Sequence, residues 1–293
     1  MIVVKLMGGM GNQMFQYAFG RKLAHENKVP LYLDLQFLLD RTPRENFVFR
    51  DYDLDIFNLD VPILTTEERE VFFRPPSFLE RLLGRNASVS KVQEEGPTFD
   101  HKYLLKGTKI YAEGYWQSER YFEGITDELN RSFTFKNPLN DLQQQLHSDI
   151  TETNSVCMNF RRTDYVNLKG SSETHGVTGM SYYSKAVEFL KKHVGDFHLF
   201  VFSDDIEWCR ENVDFKLPTT FVGHEYKGVK FAAYLQLMSS CKHFIIPNSS
   251  FAWWAAWLSK QENKVVIAPQ KWFENADLQN QSQDIIPESW IKM

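Results

Sequence analysis

The sequence has few cysteines, no long apolar run and no block of basic residues. Its three cysteines, Cys157, Cys209 and Cys241, are widely spaced. This spacing argues against a disulfide framework and a zinc site, and free thiols fit a reducing cytoplasm. The start, MIVVKLMGGMGNQ, lacks the apolar core of a secretion signal, and no run approaches the roughly 20 apolar residues of a membrane span. We therefore expect a cytoplasmic protein with at most peripheral membrane contact.

The charge distribution excludes one class of partner. The net charge is −5, and both signs are mixed along the 293 residues. A nucleic-acid-binding protein usually carries a basic patch or stripe, so we expect no nucleic-acid partner. The hydrophobic content of 43% and the charged content of 24% are those of a globular protein. The length suits two domains of ordinary size.

The order of elements predicts an α/β protein. Residues 2–7 form a predicted strand, a glycine turn follows, and a helix over 12–27 leads to a second strand at 29–33. A second series of strands and helices begins near residue 156. We predict two α/β domains facing a cleft, over 1–137 and 138–293, and we allow for the last segment to pack back on the first domain. Ligands of such sheets bind beyond the carboxyl ends of the strands.

A glycine-rich turn, G-G-M-G-N-Q from Gly8 to Gln13, follows the first strand and opens a helix. Glycines let the backbone approach a ligand closely, and a helix start favours an anion. The dinucleotide fingerprint G-x-G-x-x-G is incomplete, because Met14 stands where the third glycine belongs. Asp34 is only a rough candidate for the acidic residue that ends the second strand. A tight turn without a ligand is the alternative interpretation.

A second motif, NFRRTDY from Asn159 to Tyr165, carries an arginine pair at the end of an apolar strand. Arginine binds phosphate in a two-pronged geometry and is always charged. Neighbouring side chains of a strand point in opposite directions. One arginine can therefore reach a diphosphate while the other pairs with Asp164 or braces the loop. A surface ion pair is the alternative.

A third motif, I-I-P-N-S-S-F-A-W-W, predicts a strand, a turn and a buried helix. Asn248, Ser249 and Ser250 are residue types that cap helices, and the free N–H groups of a helix start form an anion site. The tryptophans that follow are expected to pack in the core rather than stack on a sugar.

With these segments in view, the chain resembles the α-1,2-fucosyltransferases of glycosyltransferase family 11. The matching segments occur in the family's order along nearly the whole chain, and together they are far more specific than any one alone. They are GGMGNQMFQYA (8–18), GYWQSERYF (114–122), NFRRTDYV (159–166), FSDDIEWC (202–209) and LMSSCKHFIIPNSSFAWWAAWLS (237–259).

The resemblance implies a GT-B fold with two Rossmann-like domains. It implies inverting, metal-independent transfer of L-fucose from GDP-L-fucose to the 2-hydroxyl of a terminal β-galactoside on an oligosaccharide or glycolipid. No metal or other cofactor is expected. The donor would lie mainly on the second domain and the acceptor mainly on the first. The expected donor-binding residues are Gly9, Gly11, Asn12, Gln13, Asn159, Arg161, Ser203, Asp204, Asp205, Asn248, Ser249, Ser250 and Phe251, and the expected acceptor-binding residues are Tyr115, Trp116 and Gln117.

The expected catalytic residues are Arg161, on the donor diphosphate, and Asp164, as general base. Asp164 serves equally well as a structural partner of Arg162, and Glu173 and His175 are further candidates for the base. The adjacent Asp204 and Asp205 lack the spacing of a metal-holding Asp-x-Asp, and we expect them to cap the following helix or contact the nucleotide.

Two positions depart from the family pattern. Asn159 stands where the family usually has histidine, so a base role is excluded there, and Tyr234 stands where many members carry aspartate, which puts a guanine contact in doubt. Three other functions stay open at this point. They are a fucosyltransferase with another acceptor, a non-catalytic nucleotide-sugar-binding protein, and a nucleotide-dependent oxidoreductase.

Overall fold

The chain is described by a computed structural model over residues 1–44, 48–78, 88–162 and 178–293. It forms two compact units, Met1–Thr134 and Phe135–Met293. Each unit contains one parallel sheet with helices, so the prediction of two Rossmann-like α/β domains, as in the GT-B type, is confirmed. The observed boundary falls after Thr134, close to the predicted one after residue 137.

The first unit is built on a four-stranded parallel sheet with the strand order β2-β1-β4-β3. Gly20 of its first helix packs directly on the sheet, since an added Cβ would lie 2.3 Å from Val4 Cγ2. The elements in chain order are β1 (Ile2–Lys5), α1 (Met10–Asn27), β2 (Leu31–Asp34), α2 (Gln36–Leu39), α3 (Thr66–Phe73), β3 (Ser90–Gln93), β4 (Ile110–Glu113) and α4 (Thr126–Ser132).

Helices α2 and α3 and strand β3 lie between β2 and β4 in the chain. Helix α3 begins with a complete capping box, in which Thr65 and Glu68 exchange side-chain and backbone hydrogen bonds. Strand β3, with the sequence SKVQ, buries only Val92. A strand with one apolar residue has no alternating pattern to reveal it, and its place is set by pairing with β4.

The second unit is built on a six-stranded parallel sheet with the order β10-β9-β8-β5-β6-β7. Every residue of β5 is buried, as expected for a central strand covered by helices on both faces. The elements are α5 (Asp141–Glu152), β5 (Ser155–Phe160), α6 (Met180–His193), β6 (His198–Ser203), α7 (Ile206–Asn212), β7 (Thr219–Phe221), α8 (Ala232–Ser239), β8 (His243–Ile245), α9 (Ser250–Leu258), β9 (Val266–Ala268), α10 (Ala276–Asn280) and β10 (Ile291–Lys292).

The end of the chain belongs to the second unit. Strand β10 pairs in parallel with β9, and the Trp290 ring packs 5.3 Å from the Trp253 ring, centroid to centroid. The segment that could have packed back on the first domain therefore completes the second sheet. Trp253 and Trp254 are fully buried, which confirms their predicted core role.

All three cysteines and helix α6 belong to the second unit. Cys157, Cys209 and Cys241 are free and buried. The sequence predicts Ser181 as the cap of α6. This prediction was wrong, because Gly179 precedes the helix in an extended conformation and Ser181 lies inside it. Within the described residues, no helix has the length and apolar character to cross a membrane.

Candidate functional site

Three strand ends of the second sheet bring the predicted donor residues together. In the parallel register, Met158 pairs with Ile245 and Phe160 pairs with Ser203. Arg161 and Asn248 each follow their paired residues by three positions, so they leave neighbouring strands at the same edge. Asp204 follows β6 directly. The carboxyl edge of β8, β5 and β6 therefore collects the arginine, serine and aspartate motifs, as expected for an open parallel sheet.

Arg161 lies at the centre of this edge. One of its terminal nitrogens, Nη1, lies 3.1 Å from Asp204 Oδ2, and its side chain keeps 30% of its exposure. The other carboxylate oxygen of Asp204 accepts a hydrogen bond of 2.9 Å from the backbone N–H of Arg162. Asp204 thus orients the guanidinium, whose planar fork suits a phosphate or diphosphate.

Arg162 points to a different partner, as the alternation of a strand requires. Its guanidinium lies 3.6 Å from the centroid of the Trp208 ring, and its Nε lies 3.5 Å from Asp205 Oδ2. Asp205 also caps α7 by accepting a hydrogen bond of 3.3 Å from Trp208 N–H. The expectation that this acidic pair caps the following helix is confirmed for Asp205, and Arg162 braces that helix.

The start of α9 lies at the adjoining strand end. Ser249 is the residue before the helix, yet its side chain makes no capping hydrogen bond to the first turn, where Ser250 and Phe251 are partly buried. Asn248 is tied down instead, since its Nδ2 donates to Trp272 O at 3.0 Å and its Oδ1 accepts from Thr178 Oγ1 at 3.1 Å. A helix start whose serine does not cap it has backbone N–H groups suited to an anion.

Two tyrosines of α6, which the sequence analysis did not identify, hold this edge in place. Tyr183 OH donates to Asn159 O at 3.0 Å, and Tyr182 OH approaches Ile246 O at 2.7 Å and Ile267 O at 2.9 Å. Burial raises the pKa of both phenols well above the ordinary value, so they stay protonated as donors. The only signal in the sequence is the pair Tyr-Tyr at the start of a helix, and this pair is equally typical of residues that simply pack in the core.

Several predicted residues serve the framework through their side chains. Asn159 Nδ2 donates to Phe202 O at 3.1 Å and ties β5 to β6. Ser203 is buried, and its Oγ accepts from Asp205 N–H at 2.9 Å. Tyr234 is also buried and donates to Val222 O at 2.7 Å. A packed phenol therefore occupies this position, and its hydroxyl is committed to the backbone.

In the first unit, the glycine turn has the geometry that its sequence demands. Gly8 has φ of +77°, and an added Cβ there would lie 2.6 Å from Asn12 Nδ2. A Cβ on Gly9 would meet nothing within 4 Å. Gly11 is buried in the first turn of α1. Gln13 is fully buried; its Nε2 donates to Gly8 O and Asp51 O at 2.9 and 2.8 Å, so its amide organises the turn.

The predicted acceptor segment follows β4 and is held by a carboxylate that sequence reasoning missed. Glu94 Oε2 and Oε1 accept the backbone N–H groups of Tyr115 and Trp116 at 2.5 and 3.0 Å. Trp116 is fully buried and has φ of +54°, which is unusual for a bulky residue. Burial raises the pKa of Glu94 from its ordinary 4.5 to about 7, against the lowering effect of the two N–H groups.

The two motifs of the first unit form one site. Gln117 Nε2 donates to Asn12 Oδ1 at 2.8 Å and joins the acceptor segment to the glycine turn. Gly9, Asn12 and Tyr115 line a cavity of about 180 Å³ together with Arg50. Tyr115 is 43% exposed. The structure thus brings residues predicted for donor binding next to residues predicted for acceptor binding.

Some of the predicted residues lie outside the described part of the chain. They are Asp164, Glu173 and His175, the candidates for the general base. Over residues 1–44, 48–78, 88–162 and 178–293, no cluster of three or more His, Cys, Asp or Glu could hold a metal ion.

An arginine and a helix start at neighbouring ends of a parallel sheet are typical of the class of proteins that bind phosphorylated ligands. Comparison with known proteins makes the class specific. The model for Glycosyl transferase family 11 matches residues 92–293, and the chain belongs to this family. The resemblance seen in the motifs is confirmed, and the chain is a glycosyltransferase of the α-1,2-fucosyl- and colitosyltransferase family.

Relatives of known function extend over the whole chain. An alpha-1,2-colitosyltransferase of Escherichia coli is 33% identical, covering 100% of this chain and 98% of its own. The O-antigen biosynthesis glycosyltransferase WbnK of Escherichia coli is 31% identical, covering 98% of this chain and 99% of its own. Rabbit (Oryctolagus cuniculus) galactoside alpha-(1,2)-fucosyltransferase 2 is 24% identical over 88% of this chain and 67% of its own.

Solved structures that align with this chain include NodZ alpha-1,6-fucosyltransferase soaked with GDP-fucose. It has a TM-score of 0.48 at 11% identity and covers 88% of this chain and 91% of its own. The Escherichia coli ADP-heptose LPS heptosyltransferase II has a TM-score of 0.45 at 12% identity and covers 100% of this chain and 89% of its own.

Proposed function

We propose that the chain transfers L-fucose from GDP-L-fucose to the 2-hydroxyl of a terminal β-galactoside, with inversion and without a metal ion. The observation that carries this proposal is the position of Arg161, at the end of β5 and beside the start of α9. When the fucose–phosphate bond breaks, negative charge develops on the departing GDP. A fixed guanidinium and a helix start are suited to stabilise that charge in place of a divalent cation.

The donor diphosphate would lie on the carboxyl edge of the second sheet. Asp204 holds Arg161 through an ion pair of 3.1 Å, so the guanidinium is oriented before the donor binds. Pre-orientation matters because an electrostatic group stabilises a transition state best when it need not reorganise. The first turn of α9, which Ser249 does not cap, would supply backbone N–H groups to the phosphates.

The acceptor galactose would lie against the first unit, at the cavity lined by Gly9, Asn12 and Tyr115. The exposed Tyr115 ring offers a face for the sugar C–H groups, and Asn12 and Gln117 offer amide groups for its hydroxyls. Asp164 stays our first choice for the base that takes the 2-hydroxyl proton. If it is the base, Asp164→Asn abolishes the acidic limb of the pH–rate profile, and a purely structural role leaves that limb in place.

The donor has one specific competitor. The colitosyltransferase relative, at 33% identity over the full chain, favours GDP-colitose as the second candidate donor. The test is a direct competition, in which the enzyme receives equal amounts of GDP-L-fucose and GDP-colitose with one galactoside acceptor. Mass spectrometry separates the two products. A product that carries mainly colitose would overturn the fucose assignment and leave the chemistry intact.

The role of Arg161 is tested by substitution. Removal of one preorganised donor of this kind costs about 3–4 kcal/mol in the barrier, so Arg161→Ala should lower kcat by roughly 10²–10³-fold. Arg161→Lys keeps the charge without the two-pronged geometry. Its kcat should lie between that of the unmodified enzyme and that of Arg161→Ala. Arg210→Ala is the control, because it removes an exposed guanidinium from α7 in the same unit. Near-normal turnover of a folded Arg161→Ala variant would refute the proposal.

A further inference from the structure

The first unit has a second and larger pocket, of about 980 Å³, which is lined by none of the residues expected to bind the donor or the acceptor. It lies on the face of the sheet opposite α1. Helix α1 contacts Val4 through Gly20, and Lys5, the next residue, points to the other face. Volumes of small-molecule sites are about 300–1,000 Å³, so this pocket has room for several sugar rings.

A row of charged side chains crosses the sheet at this pocket. Lys5 pairs in register with Asp34 of β2, and Lys5 Nζ lies 2.6 Å from Glu113 Oε1 of β4. Parallel sheets are normally apolar on both faces. Next to this row, Val3, Phe72 and Tyr111 form an apolar cluster, so α3 covers one part of the face and the charged row lines the open part.

Asp34 is the most buried member of the row, at 3% exposure. Its carboxylate accepts hydrogen bonds from Arg69 Nε at 3.1 Å, Tyr111 OH at 3.0 Å and Gln36 N–H at 2.9 Å. These three donors hold the carboxylate and the guanidinium in fixed orientations. Asp34 ends the second strand, as a dinucleotide-binding fold requires, but its oxygens are committed to protein donors.

The chemistry of the lining indicates a neutral, hydroxyl-rich ligand. Four basic and four acidic side chains line the pocket, and the lining carries no net charge. The carboxylates would repel an anion, and the basic groups would repel a cation. Sugar hydroxyls, in contrast, can donate hydrogen bonds to the carboxylates and accept them from the basic groups. Aromatic rings from Phe37 and Phe73 also line the pocket, where they hold basic side chains in place. Lys5 Nζ lies 4.9 Å from the centroid of Phe37, and the Arg69 guanidinium lies 4.8 Å from the centroid of Phe73.

Phe37 connects this pocket to the candidate acceptor site. It lines both the 980 Å³ pocket and the 180 Å³ cavity of the glycine turn. The smaller cavity has room for little more than one ring. We infer that the larger pocket binds the neutral sugar residues that precede the terminal galactose, so that the enzyme selects its acceptors by length. This inference rests on the proposed function and extends it to the substrate class.

The test compares a short acceptor with a long one. Methyl β-D-galactoside reaches only the small cavity, and the neutral tetrasaccharide lacto-N-neotetraose reaches both. We expect kcat/KM to be at least tenfold higher for the tetrasaccharide. Glu70→Trp places a large ring at an exposed position that lines the pocket and should bring this ratio close to one. Glu67→Trp is the control, since Glu67 is exposed on the same helix and does not line the pocket.

A ratio near one in the unmodified enzyme, or an unchanged ratio in Glu70→Trp, would overturn the inference. Lys91→Ala, at an exposed lining position, is the second variant if Glu70→Trp does not fold.

Saturation-transfer NMR without donor tests the pocket independently of transfer. The trisaccharide that lacks the terminal galactose should give a signal that Glu70→Trp loses, and a stronger signal from an oligogalacturonate would refute the neutral assignment. If that binding is seen but no galactoside is fucosylated, the proposed function is wrong, and the assignment of the pocket as a site for neutral sugars is retained.

Discussion

The Glu94 carboxyl should make the first unit less stable as the pH rises. Burial raises its pKa from 4.5 to about 7, and the backbone N–H groups of Tyr115 and Trp116 only partly offset this. Its titratable neighbours are the phenols of Tyr115 and Tyr121, whose pKa values burial also raises. They stay neutral near pH 7, so Glu94 ionises there without a neutralising charge from them.

The sign and size follow from proton linkage. Between pH 4.5 and 7 the unfolded chain has released this proton and the folded chain still holds it, so the free energy of unfolding falls as the pH rises. The loss is complete above pH 7. At about 1.4 kcal/mol per unit, the full loss is about 3 kcal/mol, of which about 2 to 3 kcal/mol falls between pH 5 and 8.

The assay compares Glu94→Gln, which cannot ionise, with the unmodified chain at pH 5 and pH 8. Hydrogen–deuterium exchange of the β1 and β4 amides reports the opening of the first unit by itself. The unmodified chain should lose about 2 to 3 kcal/mol more than Glu94→Gln over this range. Glu95→Gln, the same change at an exposed neighbour, should behave like the unmodified chain. Identical pH slopes for Glu94→Gln and the unmodified chain would refute the reasoning.

The remaining predictions concern packing, the glycine turn and metal ions. Tyr182→Phe removes the single O–H donor that Ile246 O and Ile267 O share, and it should lower the free energy of unfolding by about 1–3 kcal/mol by urea titration; no change would remove its positioning role. Gly20→Ala should cost about 1–3 kcal/mol, because its Cβ would overlap Val4, while Gly9→Ala should fold normally and lower kcat/KM. A Gly9→Ala variant with full activity would argue against a ligand at that turn. Activity should persist in excess EDTA, and its loss would contradict the role proposed for Arg161.

The amino-acid pattern was sufficient for the elements whose signal is local. The apolar run before Arg161 predicted β5, and the register then placed the arginine and the Asn248 turn at neighbouring strand ends. The start of α7 was predicted, since Asp205 is of a strong capping residue type. Strand β3 could not be predicted, because pairing with β4 creates it and its own residues do not.

The acceptor side shows why distant contacts escaped prediction. Glu94 is 21 residues from Tyr115 in the chain, yet its carboxylate holds that turn. Nothing in the surrounding sequence distinguishes Glu94 from the exposed Glu95 beside it. Only the fold, which lays β3 beside β4, decides which of the two carboxylates is desolvated.

The sequence by itself determined the family, the two parallel-sheet domains and the arginine and serine motifs, because these depend on residue types in local order. The tertiary structure decided the partners of each motif. It paired Arg161 with Asp204 and supported the strand ends with hydrogen bonds from Tyr182 and Tyr183. In the first unit it aligned Lys5, Asp34 and Glu113 across one sheet face. The physical reason is that hydrogen bonds, ion pairs and desolvation depend on distances in space, which parallel strands set between residues far apart in the chain.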